Sequence, residues 1–257
     1  MLSVISPAKT LDLGPQKLTK KHTIPESLDD SQILIDLLSK KTKGQIAKLM
    51  SLSDKLAQLN VDRYQAWDRE FTPQNSKPAL LTFKGDVYQG FDCEKWQAAD
   101  FTYAQKHLRM LSGLHGVLRP LDLMQPYRLE MGTQLKTPRG KNLYEFWGDA
   151  ITESLRQAIK ASRSKACVNL ASNEYFKAVD GDALGVPVIT PVFKDAKNGK
   201  YKIISFFAKK ARGQMANFMV RQRTQTVAEL RKFKVNGYRY DKSLSDESSL
   251  VFLRDEQ

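Results

Sequence analysis

The sequence predicts an α/β fold built as one domain. Three observations carry that reading. Short apolar runs of strand length recur along the chain, longer amphipathic runs of helix length lie between them, and no Ser/Gly/Pro-rich linker divides the 257 residues. No internal repeat or low-complexity tract is present.

The elements follow in order. "LSVIS" (2–6) is a short apolar run of the kind a buried strand shows, and a polar loop runs from it to about Pro25. "LDDSQILIDLLSKK" places Ile33, Leu34, Leu37 and Leu38 on one helical face. "KGQIAKLM" and "SDKLAQL" continue as helix, and "VDRYQAWDREF" sets Val61, Tyr64, Ala66 and Trp67 on one side of a further helix. "PALLTF" (78–83) is expected to be a second buried strand, and a helix is expected from about Asp100 to Leu111. "PYRLEMG" reads as strand, and "NLYEFWGDAITESLRQAIKA" as one long helix burying Leu143, Phe146, Trp147, Ile151, Leu155 and Ile159. "ACVNLAS" is a strand with a polar end. "VPVITPVFKDAKNGKYKIISFFA" is a β-hairpin turning at Asn198-Gly199, residues that tolerate positive φ. A basic helix, "KKARGQMANFMVRQR", follows, with Met215, Phe218 and Met219 toward the core. Thr226 and Glu229 then form a capping box at the start of a last short helix.

Composition narrows the function classes. No run approaches the roughly 18 apolar residues of a membrane span, and "MLSVISPAKTL" has no basic region ahead of its apolar run, so a cytoplasmic protein without a signal peptide is expected. Cys93 and Cys167 are far apart and have no metal-ligand spacing, and His22, His107 and His115 supply none either. No metal and no cofactor is expected. The net charge is +13, and its location matters more than its size. Between Lys194 and Lys242 there are 14 Lys/Arg against Asp195, Glu229 and Asp241, while the rest of the chain carries 27 basic and 25 acidic residues. A localised basic face suits a polyanion; scattered solubility lysines usually come mixed with acids.

Two kinds of site are readable. At the ends of the expected strands stand polar clusters: Ser6 to Thr10 with Lys9, Lys84 to Tyr88 with Asp86, and Asn169 through Ser172 to Tyr175. Open α/β sheets bind ligands beyond strand carboxyl ends, so Lys9, Lys84, Asp86, Tyr88, Asn169 and Ser172, with Arg128 and Glu130, are cleft candidates. The same residue types also make caps and turns. No P-loop, Gly-x-Ser-x-Gly or His-Glu-x-x-His motif appears. The second site is "LSGLHG". A helix, a glycine turn and further apolar residues over about 100–125 resemble a helix-hairpin-helix, in which glycines let backbone N–H groups reach a phosphate. Arg109, Ser112, Gly113, Leu114, His115, Gly116 and Arg119 would form that grip, flanked by His107. Its glycines are three apart rather than two, and Pro120 interrupts the second helix. The groove beside it would be lined by Lys209, Lys210, Arg212, Arg221 and Arg223, and Gly213 in that basic helix suggests a close approach to its backbone.

"SPAKTL", "FKGDVYQG", "RMLSGLHGVLRPLDLMQPYRLEMG", "NLASNEYF" and "FFAKKARGQMANF", in this order along the whole chain, resemble the YaaA family of bacterial peroxide-stress proteins. The resemblance implies a cytoplasmic protein that limits damage by peroxide and free iron. It also implies a central sheet wrapped by helices, and DNA binding through a basic cleft and a helix-hairpin-helix. It brings no catalytic residues. The expected function is binding of double-stranded or distorted DNA without sequence specificity. The alternative is an enzyme acting on a nucleotide or nucleic acid, such as a glycosylase, with Lys9 as nucleophile and Asp86 as base. An iron-handling protein ranks third. The sequence leaves the oligomeric state open.

Overall fold

The structure, a computed structural model, describes residues 1–256. The first third contains β1 (Leu2–Ile5), β2 (Thr10–Leu11), α1 (Leu28–Leu38), α2 (Lys43–Met50), α3 (Asp54–Gln65), β3 (Lys77–Pro78), α4 (Ala79–Thr82) and β4 (Phe83–Lys84). Then come α5 (Ala98–His107), β5 (Leu108–Ser112), β6 (Gly116–Leu118), β7 (Leu123–Met124), α6 (Leu143–Trp147), α7 (Ala150–Ser162), β8 (Cys167–Leu170) and α8 (Asn173–Phe176). The last part holds β9 (Val188–Lys197), β10 (Lys200–Lys202), α9 (Ser205–Arg221), α10 (Val227–Leu230), β11 (Arg239–Tyr240) and β12 (Ser249–Arg254).

An eight-stranded sheet forms the centre, in the order β11-β12-β9-β8-β1-β5-β6, with β10 also paired to β9. The five strands β12, β9, β8, β1 and β5 run parallel, and β11, β6 and β10 are antiparallel to their neighbours. Every residue of β1, β5 and β8 is buried. That is why these segments read as unbroken apolar runs rather than alternating ones: a parallel sheet is covered on both faces. Each fully buried Leu, Ile or Val contributes about 1.5–3 kcal/mol, and one continuous core joins the sheet to the helices around it. The expected mixed α/β architecture, a central sheet with helices packed about it, is what the chain forms.

Several elements differ from expectation. "PALLTF" is buried but folds as a helical turn, α4, because the Ala79 and Leu80 N–H groups donate to Asp122 and Pro120 carbonyls instead of a neighbouring strand. A short apolar run does not distinguish these outcomes. The two helices expected between 53 and 71 are one, α3, ending at Gln65. The long helix of 142–161 is two, α6 and α7, parted at Gly148, whose φ of +46° lies in the left-handed region. All six stripe residues are nevertheless buried. "PYRLEMG" forms no strand. β12, which sits between β9 and β11, went unread because its "SLVFLR" follows an acidic, serine-rich loop.

The largest correction concerns residues 100–125. Helix α5 stops at His107, and the chain continues directly into β5, turns at Gly113–His115 and returns as β6. The glycine turn is the tip of a β-hairpin, not of a helix-hairpin-helix. Two helices joined by a three-residue turn do occur elsewhere: α2 and α3 are linked by Ser51–Ser53, with Ser51 at φ +51° and a Thr42–Gln45 capping box on α2.

Among the described residues, no helix is long and apolar enough to cross a membrane.

Candidate functional site

Burial decides the role of the 108–119 segment. Arg109 is 9% exposed, and its guanidinium donates to the Gln105 and Leu108 carbonyls of the preceding turn. Ser112 Oγ lies 2.6 Å from Tyr127 Oη and accepts from the His115 N–H. A Cβ on Gly113 would sit 2.3 Å from the Leu129 carbonyl oxygen, and one on Gly116 would sit 2.9 Å from the Trp147 ring. Leu114 and His115 are fully buried, and burial pushes the His115 imidazole down to about 3. Arg119 is committed to Asp122, Glu26 and the Ile24 carbonyl. The glycines do permit a close approach, but it is the protein's own loop 127–132 and Trp147 that approach. Only Arg119 reaches solvent, and its guanidinium is already occupied, so the segment lacks the free, outward donors that a phosphate grip would require.

The strand ends form a real crevice. Going from β1 to β5 the chain moves one way across the sheet, and from β8 to β9 it moves the other. The gap beyond β1 and β8 is therefore the topological switch point, where open α/β sheets place ligands. Ser6 and Ser172 close its floor: the Ser172 N–H donates to Ser6 Oγ at 2.8 Å, and the two hydroxyls are 3.2 Å apart. Tyr88 Oη donates to the Ser6 carbonyl at 3.0 Å. Above them lies a crevice of about 60 Å³, lined by Pro7–Lys9, Tyr127–Glu130, Glu174 and Tyr175. Glu130 bridges two cations there, Lys9 at 2.6 Å and Arg128 at 2.9 Å. Burial holds the Tyr88 and Tyr175 hydroxyls protonated, well above the ordinary phenol range.

Of the eight cleft candidates, Lys9, Arg128 and Glu130 line this crevice, while Ser172 and Tyr88 bond Ser6, next in sequence to its lining residue Pro7. Lys84 points instead to Asp12 at 3.6 Å, and the Asn169 side chain accepts the Ala171 N–H. Asp86 pairs with Lys209 at 3.9 Å. Lys9 and Asp86 thus each have another partner, and the nucleophile–base pair expected of them is not formed. Glu174 and Tyr175 belong to a cluster readable in sequence. Tyr127 was missed because a tyrosine in an irregular segment carries no periodic signal.

The basic segment divides into tied and free charges. Arg221 and Arg223 both pair with Asp100, at 2.6 and 2.7 Å. Burial pushes the Asp100 carboxyl up, but the Gln97 N–H and the two guanidiniums outweigh it and hold the group below the usual range. These arginines fasten α9 to α5 rather than line a groove. Arg239 pairs with Asp255 at 2.6 Å. Lys194, Lys197, Lys200, Lys202, Lys210, Arg212, Arg231, Lys232, Lys234 and Lys242 have no carboxylate within ion-pair distance among the described residues. On α9, Lys210 thus remains without a carboxylate partner, while Lys209 lies 3.9 Å from Asp86. Arg212 is half-buried, and desolvation lowers its pKa. Gly213 is pressed against the Val87 carbonyl, which docks α9 on the turn leading into the crevice.

The sheet order and the crevice beyond β1 and β8 define an open α/β protein with a switch-point crevice. Residues 1–244 match the family described as peroxide stress protein YaaA, and the chain belongs to that family.

Proposed function

We propose that this chain serves the peroxide-stress response by binding DNA in the cytoplasm, through phosphate contacts made by its C-terminal basic surface. One observation carries the reading: ten cations between Lys194 and Lys242 lack a carboxylate partner among the described residues, in a segment that holds most of the net charge. Unpaired like charges held together repel, so their clustering costs the folded state and is relieved by a polyanion. Each phosphate neutralised releases counterions, which makes affinity fall with salt. Such contacts position the protein without reading sequence. The glycine hairpin plays no part, and Arg221 and Arg223 contribute little because Asp100 holds them.

The test is duplex affinity by fluorescence anisotropy between about 50 and 200 mM salt, where affinity is expected to fall by about 10²–10³ if roughly four to six phosphates are engaged. Changing Lys197, Lys200 and Lys202 together to Glu should lower affinity at least about tenfold at the low-salt end. Absence of binding at low salt, or a flat salt dependence, would overturn the reading.

A further inference from the structure

We propose that the β9–β10 hairpin and the first turn of α9 form a stacking platform for unpaired nucleotides, so that the protein holds single-stranded or opened DNA in preference to intact duplex. This rests on the DNA-binding reading above and names the form of DNA that the surface selects.

The platform combines two features. The first is exposed apolar surface: Tyr201 is 40%, Ile203 58% and Phe206 51% exposed. No other six-residue stretch among the described residues exposes three large apolar side chains. Leaving these groups in water forgoes the stabilisation that burial would bring, which marks such patches as contact surfaces. The second is a stretch of chain whose charged residues are all basic. Lys197 and Lys200 stand directly opposite each other across the hairpin, and Lys202 follows Tyr201 directly in sequence. Like charges opposite each other weaken a β-ladder. From Lys197 to Gly213 the chain contains no acid. The nearest carboxylate in sequence, Asp195, is buried and bound by Arg254 and Tyr238.

The rings are also held in place. The Tyr201 hydroxyl donates to Asp255, which Arg239 grips in turn, so the ring is fixed at its far end. Phe206 rests edge-on against Phe207, with centroids 5.6 Å apart, and Phe207 is backed by the Arg254 guanidinium at 4.5 Å. Rigid aromatic faces between lysines are what single-stranded nucleic acid requires: bases stack while phosphates are neutralised, with little regard to sequence. An intact duplex hides its base faces and could use only the lysines. An apolar membrane or protein partner would account for the rings but not for the run of basic residues from Lys197 to Arg212.

The position fits as well. β9 pairs with β8 at Val188–Ile189 and with β10 at Asp195–Lys197, while β12 occupies its other edge. β10 therefore continues the lane of β8 beyond that strand's carboxyl end. The hairpin lies on the carboxyl-end side of β8, the side of the sheet on which the crevice opens.

The test compares a fluorescent oligothymidine with a duplex of equal length at one low salt concentration, using the full chain. Tyr201→Ala and Phe206→Ala should each weaken single-strand binding by roughly five- to a hundredfold and leave duplex binding within about twofold. Tyr201→Phe, which keeps the ring, should retain most of the affinity, and unchanged melting temperatures would certify the folds. Equal loss on both DNA forms, or no loss on single strands, overturns the platform while duplex binding still supports the DNA reading. A wild-type protein that binds neither form overturns both. Loss of self-association in Phe206→Ala without a change in DNA affinity would assign the patch to a second copy of the chain and overturn the proposal.

Discussion

A Cβ on Gly213 would lie 1.7 Å from the Val87 carbonyl oxygen, and one on Gly90 would lie 2.4 Å from the Gln214 nitrogen. Two glycines let helix α9 and the 87–90 turn meet backbone to backbone. Alanine at 213 would gain roughly 1 kcal/mol of helix propensity. It would also force the turn away, an overpacking cost of about 2–3 kcal/mol or more, so the sign is set by the clash. Gly213→Ala is expected to lower the urea midpoint, and a variant as stable as wild type would show that the contact yields. The sequence made this glycine conspicuous as a site of close approach but did not say what approaches. The same holds for Gly113 and Gly116, where glycine spacing suggested a phosphate and the approaching groups are Leu129 and Trp147. A glycine in a sequence reports the absence of a Cβ, not the identity of the neighbour.

At the scale of elements, Asp100 joins two helices. It closes the α5 capping box through the Gln97 N–H, and it accepts from Arg221 and Arg223 at the far end of α9. A carboxylate so placed is worth more than a surface ion pair, because its loss leaves two guanidiniums without their charged partner and a helix end without its side-chain acceptor. Asp100→Ala is expected to cost about 2–3 kcal/mol in urea unfolding. It should leave DNA affinity equal or slightly higher, since both arginines would be released. A loss of affinity would return Arg221 and Arg223 to the binding surface. Elements with strong periodicity or caps were legible: α1, α2, α9, the Thr226–Glu229 box and the Asn198-Gly199 hairpin. The failures share one cause. "LRMLS" and "PALLTF" are apolar on every side, so their period is hidden. What decided them was the neighbour available for hydrogen bonding: β1 for the first, the 120–122 loop for the second.

For the whole molecule, stability should depend on acid in a defined window. His115 is pushed down to about 3 by burial, and His107 to about 4 by burial and the nearby N-terminal ammonium. In the unfolded chain both titrate near 6.5. Between those values the unfolded state binds protons that the native state refuses. Their contribution is therefore complete above about pH 6.5 and is lost as pH falls toward 4 and then 3. The urea midpoint is expected to drop between pH 7 and pH 5, before the carboxylates titrate. His115→Asn should be less stable throughout but show a shallower drop. A midpoint unchanged over that range would contradict the burial of these rings. The lopsided charge was likewise legible from sequence; its division into tied and free cations was not, because pairing depends on Asp100 and Asp255, which lie far along the chain from some of their partners.

The central position of β1 has a further consequence for how the molecule assembles. Its two neighbours, β5 and β8, lie more than a hundred and about 165 residues away in sequence. The β5–β6 and β9–β10 hairpins close over a few residues and can form early, but β1 must wait for distant segments to be synthesised and brought together. Contacts of such long range make folding slow. Until they form, an apolar strand with two unpaired edges is open to any other strand it meets.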